Sequence, residues 1–286
     1  MTAPAPPQVA DLPTTVDPGP PGSLLSFFLL AFAFMWTCFI TVTVTTTAQT
    51  GWGQALLILG AYAPGLAAIA VTGRAAGRAG VAELLRRVTR TPVAARWFVF
   101  AAVYIAAIKL AVALVHRLIA GEWPRFGTES LFLIPVAIAF STPFQAGEEI
   151  GWRGFALPRL AARMGWAWAS IVLGLIWAVW HLPQFFVRGG DSHGQSFWVF
   201  VLQVTAISVA MVWLYLRVGG SLLPLMLFHS AINNSKDIVP SATAGATDVF
   251  GLAASRVAWL TVALLWLCAI FFLARLAPRT RSSSVA

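Results

Sequence analysis

Long apolar runs alternate with short polar breaks along almost the whole chain. A bilayer core of about 30 Å takes about 20 apolar residues per helix, and that ruler predicts eight spans, at roughly 24–47, 54–73, 97–118, 130–147, 166–187, 195–216, 221–235 and 256–275. The seventh is short and ends in polar residues, while the fourth runs on into a polar but still helix-compatible stretch. The pattern therefore predicts an all-α, polytopic membrane domain over 24–275 with about eight transmembrane helices. Segment 1–23, rich in proline and free of Lys and Arg, reads as a disordered tail, and 276–286 as a C-terminal tail. With no basic region ahead of it, the run from residue 24 reads as a retained span rather than a cleaved signal. A hairpin near Met164-Gly165 joins the fourth and fifth spans, with Pro158 a candidate break. No internal repeat and no soluble domain is visible.

Composition sharpens this picture. Of 286 residues, 59% are hydrophobic and only 29 carry charge, 19 basic and 10 acidic, too few to cover a soluble globule of that size. A water-soluble enzyme is excluded. The net charge of +9 is not a nucleic-acid footprint, because the basic residues sit between apolar runs rather than in a dense patch. They read as topology signals. Thirteen fall on one side: Arg74, Arg78, Arg86, Arg87, Arg90 and Arg96, then Arg153, Arg159, Arg163, Arg217, Arg275, Arg279 and Arg281. Five fall on the other: Arg117, Arg125, Arg188, Lys236 and Arg256. The basic excess marks the cytoplasm, so both termini are expected there. Val81, Leu84, Leu85 and Val88 recur at helical spacing with arginines opposite, which fits a basic helix on a lipid surface and an ordinary connector equally well. Cys38 and Cys268 lie inside apolar runs, against a disulfide framework or a thiolate metal site. Arginine outnumbers lysine 17 to 2, a bias of GC-rich bacterial genomes, and the expected location is a bacterial cytoplasmic membrane.

Ionisable groups inside spans are costly and mark function. In Glu148-Glu149-Ile150-Gly151-Trp152-Arg153, Glu149 and Arg153 stand about 40° apart on a helix and can pair, which leaves Glu148 free. Gly147 and Gly151 form a small-residue stripe that admits a close neighbour. His181 ends the fifth span, following Trp177 and Trp180; His229 and Asn233 share one face of the seventh. Either histidine alone reads as a packing donor, but with Glu148 they form a set. Glu148 and His181 each lie 16 residues from the turn at 164–165, so they meet at one level. A free carboxylate, two imidazoles and a carboxamide supply a general base and oxyanion donors for hydrolysis by activated water. No G-x-S-x-G elbow and no H-E-x-x-H zinc signature occurs, although Glu148, His181 and His229 from separate helices remain an alternative zinc set. Trp152, Trp177 and Trp180 are expected to wall the cavity. Lys109 reads as a structural or snorkelling residue, and His116 and His193 as ordinary.

These motifs resemble the type II CAAX prenyl proteases and their relatives in the CPBP or Abi group, which include bacteriocin-processing and immunity proteins. The family's E-E-x-x-x-R, F-x-x-x-H and H-x-x-x-N read here as Glu148, Glu149 and Arg153; Trp177 and His181; His229 and Asn233. The resemblance covers about residues 130–235, and Trp177 in place of Phe reads as a conservative change that leaves the chemistry undisturbed. It implies an intramembrane endopeptidase acting on a peptide or membrane-protein substrate. Glu148, helped by His181, would activate water; His229 and Asn233 would hold the oxyanion; Glu149 and Arg153 would support them. Asn233 suits an oxyanion better than zinc, so no cofactor is expected, with zinc the alternative. Two other readings stand beside it. One is a non-catalytic scaffold or immunity protein; the other is a proton-coupled transporter, for which the inverted repeats are missing.

Overall fold

The computed structural model describes residues 22–90, 93–128, 130–241 and 248–276. The expected tails lie outside these residues, except for 22–23 and 276. Among the described residues all regular structure is helical: α1 (Leu24–Thr45), α2 (Gly51–Ala61), α3 (Ala63–Arg86), α4 (Ala95–Ala120), α5 (Leu133–Ser141), α6 (Ala146–Glu149), α7 (Leu157–Trp180), α8 (Phe197–Arg217), α9 (Leu223–Ser235) and α10 (Arg256–Leu276). A 3-10 turn (Thr142–Gln145) joins α5 to α6, and a π-helical segment (Ile150–Ala156) joins α6 to α7. Side-chain oxygens of Ser23, Thr50 and Ser196 cap the starts of α1, α2 and α8, accepting from otherwise orphaned backbone N–H groups.

Each of the eight predicted intervals falls on helix. Among the described residues, five helical stretches are long and apolar enough to cross a membrane. The pair α2 and α3, bent by 45°, makes a sixth. The predicted fourth and fifth spans belong to one stretch, Leu133–Phe186, because the polar residues between them stay helical through the 3-10 and π turns. The predicted seventh is α9, 13 residues long. Large apolar side chains such as Leu118 (74% exposed) and Phe140 (75% exposed) cover the outside of the bundle, as a lipid-facing surface requires.

Within α7 the chain reverses at Gly165, whose φ of 76° and ψ of 164° suit a residue without Cβ. Arg153 and Trp177, each twelve residues from Gly165, touch each other, which a continuous helix forbids. Pro158 is not the break; it sits in the first turn of α7. Its missing N–H leaves the Gly154 carbonyl without the usual donor four residues on, and Arg87 donates to that oxygen (3.1 Å). Leu84 and Arg87 are thus turned into the protein, while Arg74, Arg78, Arg86 and Arg90 stay exposed. The small-residue stripe does admit a neighbour. A Cβ on Gly151 would stand 2.5 Å from the Pro64 carbonyl carbon, so the start of α3 lies directly on the site-bearing segment.

Two ends of the bundle can be told apart by their hydrogen bonds. At one, the Leu222 N–H donates to the Arg87 carbonyl (2.8 Å) beside the arginine-rich end of α3. At the other, Ala48 donates to Arg188 (3.1 Å), Phe197 to Val249 (2.8 Å) and Gly127 to Ile238 (3.1 Å), all backbone to backbone. The second end frames the cavity described next.

Candidate active site

A cavity of about 730 Å³ is lined by Glu148, Trp177, His181, His229 and Asn233, together with Lys109 and residues of the loops 48–49, 187–195 and 236–241. Four separate elements deliver the site residues. Glu148 and Glu149 end α6, Arg153 lies in the π-helical segment, Trp177 and His181 close α7, and His229 and Asn233 sit one turn apart on α9. π-helical turns recur at functional sites, and here one carries the Arg153 side chain inward.

The two carboxylates have different partners. Glu149 is fully buried, and its Oε1 accepts from Arg153 Nη1 (2.9 Å) and from His229 Nδ1 (2.8 Å). Glu148 is held on one oxygen only by a side-chain donor of another kind: the Trp177 indole N–H donates to its Oε2 (2.7 Å). Its Oε1 faces His229 Nε2 at 4.0 Å, a gap that suits a bridging water better than a direct bond. His181 Nδ1 lies 2.7 Å from the Trp177 carbonyl; a carbonyl only accepts, so Nδ1 carries the proton and the neutral ring's Nε2 is an acceptor.

Trp177 is the centre of this arrangement. Besides the bond to Glu148 and the carbonyl offered to His181, its ring lies under the Arg153 guanidinium (4.2 Å) and meets His229 edge-on (5.3 Å, 79°). Reading it as a passive stand-in for phenylalanine misses the indole N–H, the one group phenylalanine cannot supply. Trp152 and Trp180 are not on the cavity wall, contrary to expectation. They pack against each other (5.5 Å) and behind the site, Trp152 on Phe27 and Trp180 with its Nε1 donating to the Ala31 carbonyl (3.1 Å). The helix that covers them is α1, whose docking site no local pattern specified.

The sequence reading also passed over a polar clamp beside the site. Ser141 and Ser230 share a hydrogen bond between their hydroxyls (2.6 Å), and Asn234 donates to Ser141 Oγ (2.8 Å) and to the Ser230 carbonyl (2.8 Å). The clamp fixes α9, and with it His229 and Asn233, against α5. Asn234 directly follows Asn233, and a second carboxamide in an apolar helix is the signal that could have found it. Among the described residues no group of three or more His, Cys, Asp and Glu side chains converges closely enough to hold a metal ion. One Glu148 oxygen is instead occupied by the indole donor.

Comparison with known proteins places this geometry. The chain is 31% identical over 115 residues to CAAX prenyl protease 2 of Methanococcus maripaludis, a match that covers 38% of this chain and 40% of that relative. The chain thus spans about two fifths of the length of the curated relative it matches. The match to the family model, type II CAAX prenyl endopeptidase Rce1-like, covers residues 127–235, which contain Glu148, Glu149, Arg153, Trp177, His181, His229 and Asn233 but not Lys109. That segment, from the α5 approach to the end of α9, is the part of the chain that is similar to the type II CAAX prenyl endopeptidases.

Proposed function

We propose that the chain is a membrane-embedded endopeptidase in which Glu148 activates water for attack on a peptide bond. One observation carries the reading: Glu148 faces His229 across a 4.0 Å gap inside a cavity that also holds His181 and Asn233. Water seated in that gap lies within reach of the Glu148 carboxylate, which takes its proton as the oxygen attacks the carbonyl carbon. His181 Nε2, the free acceptor, takes that proton over from Glu148 and passes it to the leaving amine as the C–N bond breaks. The developing oxyanion is held by the Asn233 carboxamide and by His229, which, with its Nδ1–H committed to Glu149, donates from Nε2 in its doubly protonated form, flanked by the Glu148 and Glu149 carboxylates. Glu149 and Arg153 orient His229 and touch no substrate.

The proposed reaction is metal-free. Asn233 is a hydrogen-bond donor rather than a zinc ligand, and the indole competes with any metal for Glu148 Oε2. The substrate is a peptide segment presented within or beside the bilayer. With Arg153 set aside as a residue of the proposed site, twelve basic residues still fall on the side of 74–96 against five opposite. The chain is therefore read with its termini in the cytoplasm and the cavity opening on the other face.

The test compares purified native protein with Glu148→Gln on a quenched fluorescent peptide library. It also compares the membrane-protein termini of cells carrying each form. New termini and peptide cleavage are expected with the native protein only; equal cleavage by Glu148→Gln overturns the assignment. Treatment with a strong chelator is expected to leave activity intact. Loss of activity on chelation, restored by added zinc, overturns the metal-free form.

A further inference from the structure

Lys109 is a buried cation that the proposed chemistry does not use. It lies in the middle of α4, is 4% exposed and lines the same cavity as Glu148 and Asn233. Its ammonium donates to the Val239 carbonyl (3.1 Å) and to Ser241 Oγ (2.6 Å), both neutral. Among the described residues no carboxylate lies within 4.0 Å of it. The other lysine on the cavity wall, Lys236, is paired with Asp191 (2.6 Å); Asp237, exposed on the same wall, is near enough to act on the Lys109 charge but is not in contact with it. An ammonium has three donors, so among the described residues one remains uncommitted on the cavity wall.

A structural role accounts for the two bonds but not for the charge. A neutral amide at this position would tie the 239–241 segment to α4 just as well, without the cost of a buried, unpaired cation. The missing partner is an anion that enters with a ligand. Val239 and Ser241 follow the end of α9, whereas His229 and Asn233 lie on α9 itself, so Lys109 stands on the open side of the reacting groups. From His229 to Lys236 the helix rises about 10 Å, a distance a bound peptide spans within a few residues.

We propose that Lys109 is an anion subsite of this cavity, taking a carboxylate of the bound peptide, either its C-terminus or an acidic side chain. The inference rests on peptide binding at the proposed active site, and it is tested without turnover. The host is full-length Glu148→Gln protein in lipid nanodiscs, and the probes are three fluorescein-labelled apolar decapeptides of otherwise equal sequence. One has a free C-terminus, one a C-terminal amide, and one an amide with an Asp in the C-terminal half.

Affinity is read by fluorescence anisotropy. With Lys109 present, a carboxylate-bearing peptide is expected to bind about tenfold to a hundredfold tighter than the plain amide, the usual strength of a hydrogen bond to a charged group. Which of the two carboxylate peptides shows the preference identifies the source. Lys109→Gln, which keeps donors for Val239 and Ser241, is expected to abolish the preference, and Lys109→Arg to retain most of it. Equal affinities for all three peptides with Lys109 in place overturn the inference, as does a preference that survives Lys109→Gln. If the preference follows Lys109 while native protein cleaves nothing, the subsite stands and the protease reading falls.

Discussion

Replacing Trp177 with phenylalanine isolates the contribution of one N–H group. Phe keeps the backbone carbonyl that receives His181, a ring beneath Arg153 and an edge for His229, but removes the donor to Glu148 Oε2. Two effects then oppose each other. The carboxylate is freed to rotate out of line with the attacked carbonyl, and a misplacement of about 1 Å costs about a hundredfold in rate. Against this, a bond of about 1.5–3 kcal/mol to the anion no longer has to weaken as Glu148 takes up its proton. A transition state with partial proton transfer feels only part of that, roughly threefold to tenfold. Orientation wins, and kcat is expected to fall about tenfold with KM close to native. Stability should drop by about 1–2 kcal/mol, a fraction of the loss on truncating a buried Trp to Ala. Steady-state hydrolysis in nanodiscs and thermal melts measure both. A kcat at or above native in well-folded Trp177→Phe, or a KM change alone, refutes the positioning argument.

Arg153→Ala is expected to lower the amount of folded protein by a loss of about 3–5 kcal/mol, because it strands the buried Glu149 carboxylate; detergent-resistant folded yield beside Glu148→Ala, which should express nearly normally, checks this. Gly151→Ala places a Cβ 2.5 Å from the Pro64 backbone and should destabilise by about 1–3 kcal/mol, read as a lowered melting temperature. Reporter fusions within 74–96 and at the C-terminus should report the cytoplasm, and fusions within 187–195 the opposite face; a C-terminus outside would overturn the orientation.

Relations along one helix were legible in the sequence. Glu149 and Arg153 pair at 2.9 Å as their four-residue spacing allows, and Glu148 and His181, sixteen residues to either side of the Met164-Gly165 turn, line one cavity. Relations between helices were not. Trp152 and Trp180 lie under α1 rather than on the cavity wall, and periodicity within 146–180 carries no record of which helix docks there. The boundary between the fourth and fifth spans shows the same limit: hydropathy alone marks the polar residues around 142–156 as an interruption, yet 3-10 and π turns carry the helix through them and the chain turns back only at Gly165. The Trp177 hydrogen bond escaped notice because a motif comparison weighs tryptophan and phenylalanine by size and ring, whereas the difference that matters is a single donor.

The adjacent acids are distinguished by a ring from another helix. Successive residues on a helix point about 100° apart, so Glu148 and Glu149 cannot serve one point in space. The two nitrogens of His229 diverge, however, and the ring sits in the angle between the acids: Nδ1 bonds Glu149 at 2.8 Å while Nε2 faces Glu148 at 4.0 Å. The arrangement separates two tasks that a single carboxylate could not perform together. Glu149 gives its Oε1 to Arg153 and His229, while its Oε2 is buried without a hydrogen-bond partner among the described residues and off the cavity wall, so this carboxylate serves as an anchor. Glu148 keeps one oxygen under the Trp177 indole and leaves the other facing the gap, and that remaining oxygen is the atom on which the proposed water activation depends.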